Sequence, residues 1–254
     1  MRSSPTVPVG EQTAQDVLHA RKRAWDSRPL TREIYRRYAD AISRELAPGR
    51  AIEIGGGAGN FKEFRPATIV SDIVATPFVD FVADAMAMPF PDGAVDNLVM
   101  LDVLHHLPRP ARFFDEVVRV LRPGGRLVML EPHISPFSRV VFKLAHPEPV
   151  DKSVDPLPED DAPVFEASGP FASNQAVPSV LFFRELGRFQ RRFPQLKLRT
   201  RRLDSVLMYP LSGGFSGPCL VPRFAHRFGW MMEQAALPLR RLLAFRLLIT
   251  LERV

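Results

Sequence analysis

Three glycines set two residues apart, Gly55, Gly57 and Gly59, follow a short apolar run that carries one acid, Glu53. Glycines so placed let a strand turn into a helix through positive φ angles, and let backbone N–H groups approach a ligand closely. A dinucleotide site of the G-x-G-x-x-G kind needs its third glycine at 60, where this chain has Asn60. The spacing leaves a ligand loop of another kind, or a plain tight turn. Downstream stand the other groups able to do chemistry. Asp72 and Asp84 close two expected strands. His105, His106, His133 and His146 lie at or just beyond strand ends, and a histidine near its ordinary pKa can accept a proton from a hydroxyl or phenol. His105 and His133 are the favoured catalytic candidates. The acidic run Glu159-Asp160-Asp161 is expected to face solvent, and no metal site is expected.

The elements that must position these groups are short and alternating. A helix is expected over 12–25, and a second from Arg32 to Leu46, with Ile34, Tyr35, Tyr38, Ile42 and Leu46 on one face. Strands follow at 51–54, 68–72, 79–83, 95–101 and 126–131. A helix opened by Pro110 carries Phe113, Phe114, Val117, Val118 and Leu121 inward, and Arg122-Pro-Gly-Gly125 is expected to cap it. The helix after the glycine loop has little more than a turn before Pro66. The link between the second and third strands is too short for a crossover helix, which needs about ten residues or more. Alternating strands and helices imply a parallel sheet with ligand sites at the carboxyl ends of its strands. Residues 145–178 read as a long proline-rich, acidic loop. A helix over 178–193 and strands over 196–207 and 244–252 complete the pattern, with an apolar and basic insertion at 208–243. The expected divisions are 1–48, 49–132, 133–194 and 195–254.

At 254 residues, 46% hydrophobic and 24% charged, the chain can bury a full core in one α/β unit. The single cysteine, Cys219, excludes an intrachain disulfide and a cysteine-based zinc cluster. Residues 1–6 lack the apolar core of a signal peptide, and the apolar stretch 237–251 is broken by Arg240, Arg241 and Arg246, so a cytoplasmic protein is expected. Net charge is +6 with a pI near 10.0, carried mostly by arginine. That balance suits nucleic acid, an anionic membrane or an anionic substrate, but no RNA-binding module is present, and nucleic acid ranks last.

Taken together, Glu53 to Gly59, Asp72, Asp84-Ala85-Met86, Leu101-Asp102, His105-His106 and Leu121 to Gly125 resemble, in order, the motifs of class I S-adenosylmethionine (SAM) dependent methyltransferases of the type 11 kind. The resemblance implies a Rossmann-like α/β fold, a mostly parallel twisted sheet with an antiparallel closing strand. It implies SAM as cofactor, bound by Glu53, Gly55, Gly57, Gly59, Asp72, Asp84, Ala85 and Leu101. The glycine loop would receive the methionine part and Asp72 the ribose hydroxyls, because a carboxylate can accept two O–H donors at once. Asp84 would accept from the adenine amine. The shortened helix and clipped link after the glycines depart from the usual pattern.

The chemistry implied is displacement at the sulfonium methyl, where positioning supplies most of the rate. Residue types exclude two alternatives. An Asn/Asp-Pro-Pro-Tyr-like run for amino methylation of DNA is absent where Leu101-Asp-Val-Leu104 stands, and Pro218-Cys219 lies too late to be a cytosine-directed nucleophile. The acceptor is expected to be a small or lipid-linked molecule methylated at oxygen. Glu131 to Phe137 would line its pocket, with Asn174-Gln175 and Ser212-Gly213-Gly214 as polar contacts. Residues 220–243 mix large apolar side chains with arginine, which suits either a helical cap on the core or contact with an anionic membrane. A non-catalytic SAM-binding scaffold is the alternative.

Overall fold

The computed structural model describes residues 13–145, 148–166 and 168–254. His146 and the expected start of the first helix at residue 12 lie outside the described residues. One sheet holds seven strands: β1 (Ala51–Ile54), β2 (Ile69–Asp72), β3 (Phe81–Val82), β4 (Val95–Leu101), β5 (Leu121–Pro132), β6 (Leu196–Asp204) and β7 (Arg246–Arg253). Their order is β3-β2-β1-β4-β5-β7-β6. All neighbours from β3 to β5 pair in parallel, and β7 runs antiparallel to both β5 and β6. The expected α/β class with an antiparallel closing strand is what the sheet shows.

Around it lie α1 (Ala14–Ser27), α2 (Pro29–Glu45), α3 (Asn60–Phe64), α4 (Pro110–Val120), α5 (Pro136–Ala145), α6 (Val177–Ser179), α7 (Leu186–Arg192), α8 (Met208–Leu211), α9 (His226–Ala236) and α10 (Arg240–Leu243). The central strands are buried on both faces, so neighbouring residues feed opposite sides of the sheet. Leu98 and Met100 of β4, with Leu127 and Met129 of β5, meet Phe113, Phe114 and Val117 of α4. Val99, Val128 and Leu130 meet Ile34, Tyr38 and Ile42 of α2. Both faces are covered, which holds the strand ends rigid.

As the short link implies, residues 73–80 form no helix, and α1 packs there: Gln15 donates to the Ala75 carbonyl at 2.7 Å, and His19 meets the Phe78 ring at 5.2 Å. Local differences from the sequence reading have local causes. The glycine cap after α4 is drawn into β5, because Leu121 pairs with Val95 across a register shift, although Gly124 keeps a left-handed φ of 76°. The helix expected over 178–193 is interrupted by a π-helical turn, Val180–Arg184. β6 ends at Asp204, where Ser205 takes a φ of 60°. α5 was not read from sequence. It is opened by a reciprocal cap in which Ser135 Oγ accepts from the Ser138 N–H (3.0 Å), Ser138 Oγ accepts from the Ser135 N–H (2.8 Å), and Pro136 starts the helix.

Candidate active site

The carboxyl ends of β1 to β4 open onto one cavity of about 460 Å³. Its floor is Gly55, Gly57 and Asp72; Asp84, Ala85 and Met86 form one wall, and Asp102, Val103, His106 and Leu107 another. Glycine is required at 55, where φ is 70° and a Cβ would stand 2.6 Å from a Val103 methyl. At Gly57 (φ 53°) a Cβ would project towards Leu18 and Asp72, into the cavity itself. The loop therefore presents bare backbone to a ligand.

Asp72 organises this floor. Its Oδ2 accepts the Gly57 N–H and its Oδ1 the Val74 N–H, both at 2.8 Å. Each oxygen keeps a second lone pair, so a vicinal diol can bind without breaking either bond. Ile73, 56% exposed, and Ala85, Met86 and Leu107 supply apolar surface for a planar base beside that diol. Asp84 holds its own turn, accepting the Met86 N–H at 2.8 Å through Oδ1. Glu53 lies beneath the loop, 3% exposed, with one buried oxygen unpartnered among the described residues. Burial, and then the nearby Asp72 charge, push its carboxyl up to about 8. The bare glycine cradle and the diol-ready carboxylate fit a nucleoside cofactor.

Of the cofactor residues expected from sequence, Gly55, Gly57, Asp72, Asp84 and Ala85 line the cavity. Glu53, Gly59 and Leu101 do not: Glu53 supports the loop from below, Gly59 caps α3, and Leu101 packs against the α2 side of the core. Neither favoured histidine lines it. His105 is buried, with Nδ1 2.8 Å from Glu131 and Nε2 3.5 Å from Glu148. Burial alone would lower its pKa, but the two carboxylates override this and raise it to about 9. His133 is buried against Ser179 (3.0 Å), and burial followed by the Lys152 charge lowers it to about 4. His106 is the histidine that reaches the cavity. Its Nδ1 meets the Ala172 carbonyl at 3.0 Å, and burial with the His105 charge lowers it to about 4.

Three features were invisible in the sequence. Arg21 of α1 stacks 5.0 Å over Phe171, and the two help roof the cavity from segments 150 residues apart. Asp102 sits at φ 57° with its carboxylate gripped by Arg246 of β7 and by the Tyr35 hydroxyl at 3.2 Å. Tyr38 and Tyr209 flank the same arginine, so all three tyrosines of the chain converge on one buried cation. Only the positive φ at a non-glycine strand end, once known, marks that position as special. The polar spots expected to orient an acceptor are committed elsewhere: Asn174 bonds the Asp151 backbone in both directions, and the Gly214 carbonyl accepts from Arg28 and Thr31.

The seven-strand order and the nucleoside-shaped cleft above β1 and β2 define a class I methyltransferase architecture. Residues 54–129 match the sequence profile of the "Methyltransferase domain" family, and this segment is the core of a SAM-dependent methyltransferase domain. A SAM-dependent methyltransferase from Archaeoglobus fulgidus superposes with a TM-score of 0.51 at 12% identity, over 87% of this chain and 94% of that one. Geranyl diphosphate C-methyltransferase from Streptomyces coelicolor, solved with Mg2+, a substrate analogue and S-adenosyl-L-homocysteine, gives a TM-score of 0.47 at 16% identity, over 85% and 75%. These likenesses concern the fold. No curated protein sequence matches the chain. Among the described residues, no helix is long and apolar enough to cross a membrane.

Proposed function

We propose that the protein transfers the SAM methyl group to an oxygen of a small or lipid-linked acceptor, and that it meets this acceptor at an anionic membrane surface. In this reading Asp72 holds the ribose diol, the Gly55–Gly59 loop and Glu53 receive the methionine part, and Asp84 with Ala85 meets adenine. The N-terminal helix supplies Arg21 for the methionine carboxylate. His105 and His133, expected as bases from sequence, are held in hydrogen bonds away from the cavity, so the reading assigns proton removal to neither.

One observation carries the lipid part. α5 begins just past the end of β5, and α10 packs against it and feeds β7, whose Arg246 pairs with Pro132. Both helices thus lie at the same sheet edge as the cavity. Phe137, Val140 and Leu144 form an exposed stripe on α5, with Leu144 80% exposed. Leu242 of α10, which packs against α5, is also exposed, as are Phe224 (90% exposed), Phe228 and Met231 elsewhere on the insertion. The charged side chains exposed in 136–145 and 220–243 are all cations: Arg139, Lys143, Arg223, Arg227, Arg240 and Arg241. The only acid there, Glu233, is buried and accepts the Val206, Leu207 and Met208 N–H groups. Exposed apolar groups on segments whose own exposed charges are all cations suit an anionic bilayer.

Flotation with vesicles of phosphatidylcholine and phosphatidylglycerol tests this. The protein should float with them at low salt, less so as salt rises, and hardly at all when Phe224 and Phe228 are changed to Ser. Equal recovery with purely zwitterionic vesicles, or none with either, would overturn the membrane reading.

A further inference from the structure

Beside the cavity, His105, His106 and Glu148 each bring one ligand atom to within 4.8 Å of the others. We propose that these three side chains bind a divalent first-row transition-metal cation, whose role in catalysis rests on the O-methylation proposed above: it takes the acceptor hydroxyl as a further ligand.

The donor set is two imidazoles and one carboxylate, a combination suited to zinc, manganese, iron or cobalt. The arrangement behind it is what metal ligands need, because each has an outer partner that fixes its orientation. His105 Nδ1 is held by Glu131 at 2.8 Å, and Glu131 is anchored in turn by the Val103 and Leu104 N–H groups. His106 Nδ1 is held by the Ala172 carbonyl. Glu148 accepts from the Ser173 hydroxyl at 3.1 Å and from the Gln175 amide. With both Nδ1 atoms committed, Nε2 of each ring is the atom left to a cation.

Distances agree. The His105 Nε2 to Glu148 oxygen separation is 3.5 Å. A tetrahedral ion with bonds of about 2.0–2.2 Å sets its ligands roughly 3.4 Å apart. The remaining separations, within 4.8 Å, need to close by up to about 1.4 Å to reach that spacing, which side-chain rotation supplies. A hydrogen-bond network alone accounts for His105 between two carboxylates. His106 packs its ring on that of His105, 4.2 Å between centroids, which sets a second imidazole beside the same carboxylate. His105 is buried and the other two are half-buried, and His106 is the member of the cluster that lines the cavity.

The role follows from charge. One ligating carboxylate leaves a dication positive, so an acceptor hydroxyl bound there loses its proton to water more readily. The resulting alkoxide oxygen forms the new O–C bond as the methyl S–C bond breaks, and the sulfonium becomes a neutral thioether. The cation keeps its oxidation state throughout.

Equilibrium dialysis of EDTA-treated Cys219→Ser protein against Co2+ tests the site, with bound metal counted by mass spectrometry and its visible absorbance recorded. The expected result is one Co2+ per chain with a low-symmetry d–d band, and at least a roughly 10-fold weaker affinity in both His106→Ala and Glu148→Gln. If melting shows that His106→Ala is unfolded, His106→Gln takes its place. No stoichiometric Co2+ in the parent, or either folded variant binding as tightly as the parent, overturns the site. SAM affinity is measured in parallel by calorimetry: its retention while Co2+ binding fails removes the metal alone, whereas its absence in the parent removes the cofactor reading.

Discussion

The two ends of the cavity are built differently. At the cofactor end the carboxylates that shape the floor bond residues no more than 15 positions away: Gly57 to Asp72, Val74 to Asp72 and Met86 to Asp84. Their positions follow from the parallel register of β1, β2 and β3, which sets strand ends side by side. At the other end, His105 and His106 after β4, Glu131 on β5, Glu148 in a loop and Ala172 in another meet from four parts of the chain. Packing places those groups, not register. A glycine loop and a strand-end acid can be read from spacing, whereas a cluster assembled by tertiary contacts cannot.

That difference explains what was legible. Strands 51–54 and 95–101 match the structure residue for residue, because strands buried on both faces are written as short, nearly continuous apolar runs. The acid run at 159–161, by contrast, drew attention while Glu148 passed unnoticed, since nothing local distinguishes a lone glutamate in a proline-rich loop. The choice of His105 over His106 failed to find the cavity for a related reason. The two rings lie side by side in the tight turn after β4, 4.2 Å between centroids, and only the position of Glu131 decides which one is buried. α5 could have been found, since Ser135-Pro136 followed by Ser138 is a legible helix start.

The largest effect should come where the two ends join. Arg246 of β7 grips Asp102 at the cavity edge and is itself 3% exposed among three tyrosines. Replacing it by Met leaves Asp102 charged and unpaired beside Tyr35, which should cost about 3 kcal/mol, the low end for a broken buried pair because Asp102 keeps access to the cavity. Urea unfolding measures this. A loss below about 0.5 kcal/mol, the range of an ordinary surface substitution, would mean the pair is not structural.

Next in size is the cofactor end alone. Asp72→Ala removes the acceptor for two loop N–H groups and, in the proposed pose, for two ribose hydroxyls. SAM affinity should fall by about 100-fold or more, taking hydrogen bonds to a charged group at roughly 1.5–3 kcal/mol each. Calorimetry reads it directly. Asp72→Asn, which keeps some acceptor capacity, should fall between. The same substitutions should leave Co2+ binding at the far end untouched, and a parallel loss of both would show that the two ends are not independent.

A third prediction sharpens the comparison most, because it isolates one buried carboxyl. Glu53 titrates near 4.5 in an unfolded chain and is pushed up to about 8 in the folded protein by burial and then by Asp72. A raised pKa means the folded state holds its proton more tightly, so the contribution to stability is full below about pH 4.5 and is lost as pH rises through 8. Thermal melting from pH 5 to 8.5 should therefore show a decline that Glu53→Gln lacks, since the amide has the same shape and no proton to lose. SAM adds a second readout. An ammonium group beside the orphaned oxygen would favour the ionised form, so cofactor binding at pH 7 should release protons, seen as a binding enthalpy that changes with the ionisation enthalpy of the buffer. Parallel melting profiles for the two proteins would show that Glu53 is not the titrating group. A buffer-independent enthalpy would show instead that the cofactor's amine sits elsewhere, leaving Glu53 only a strut beneath the glycine loop.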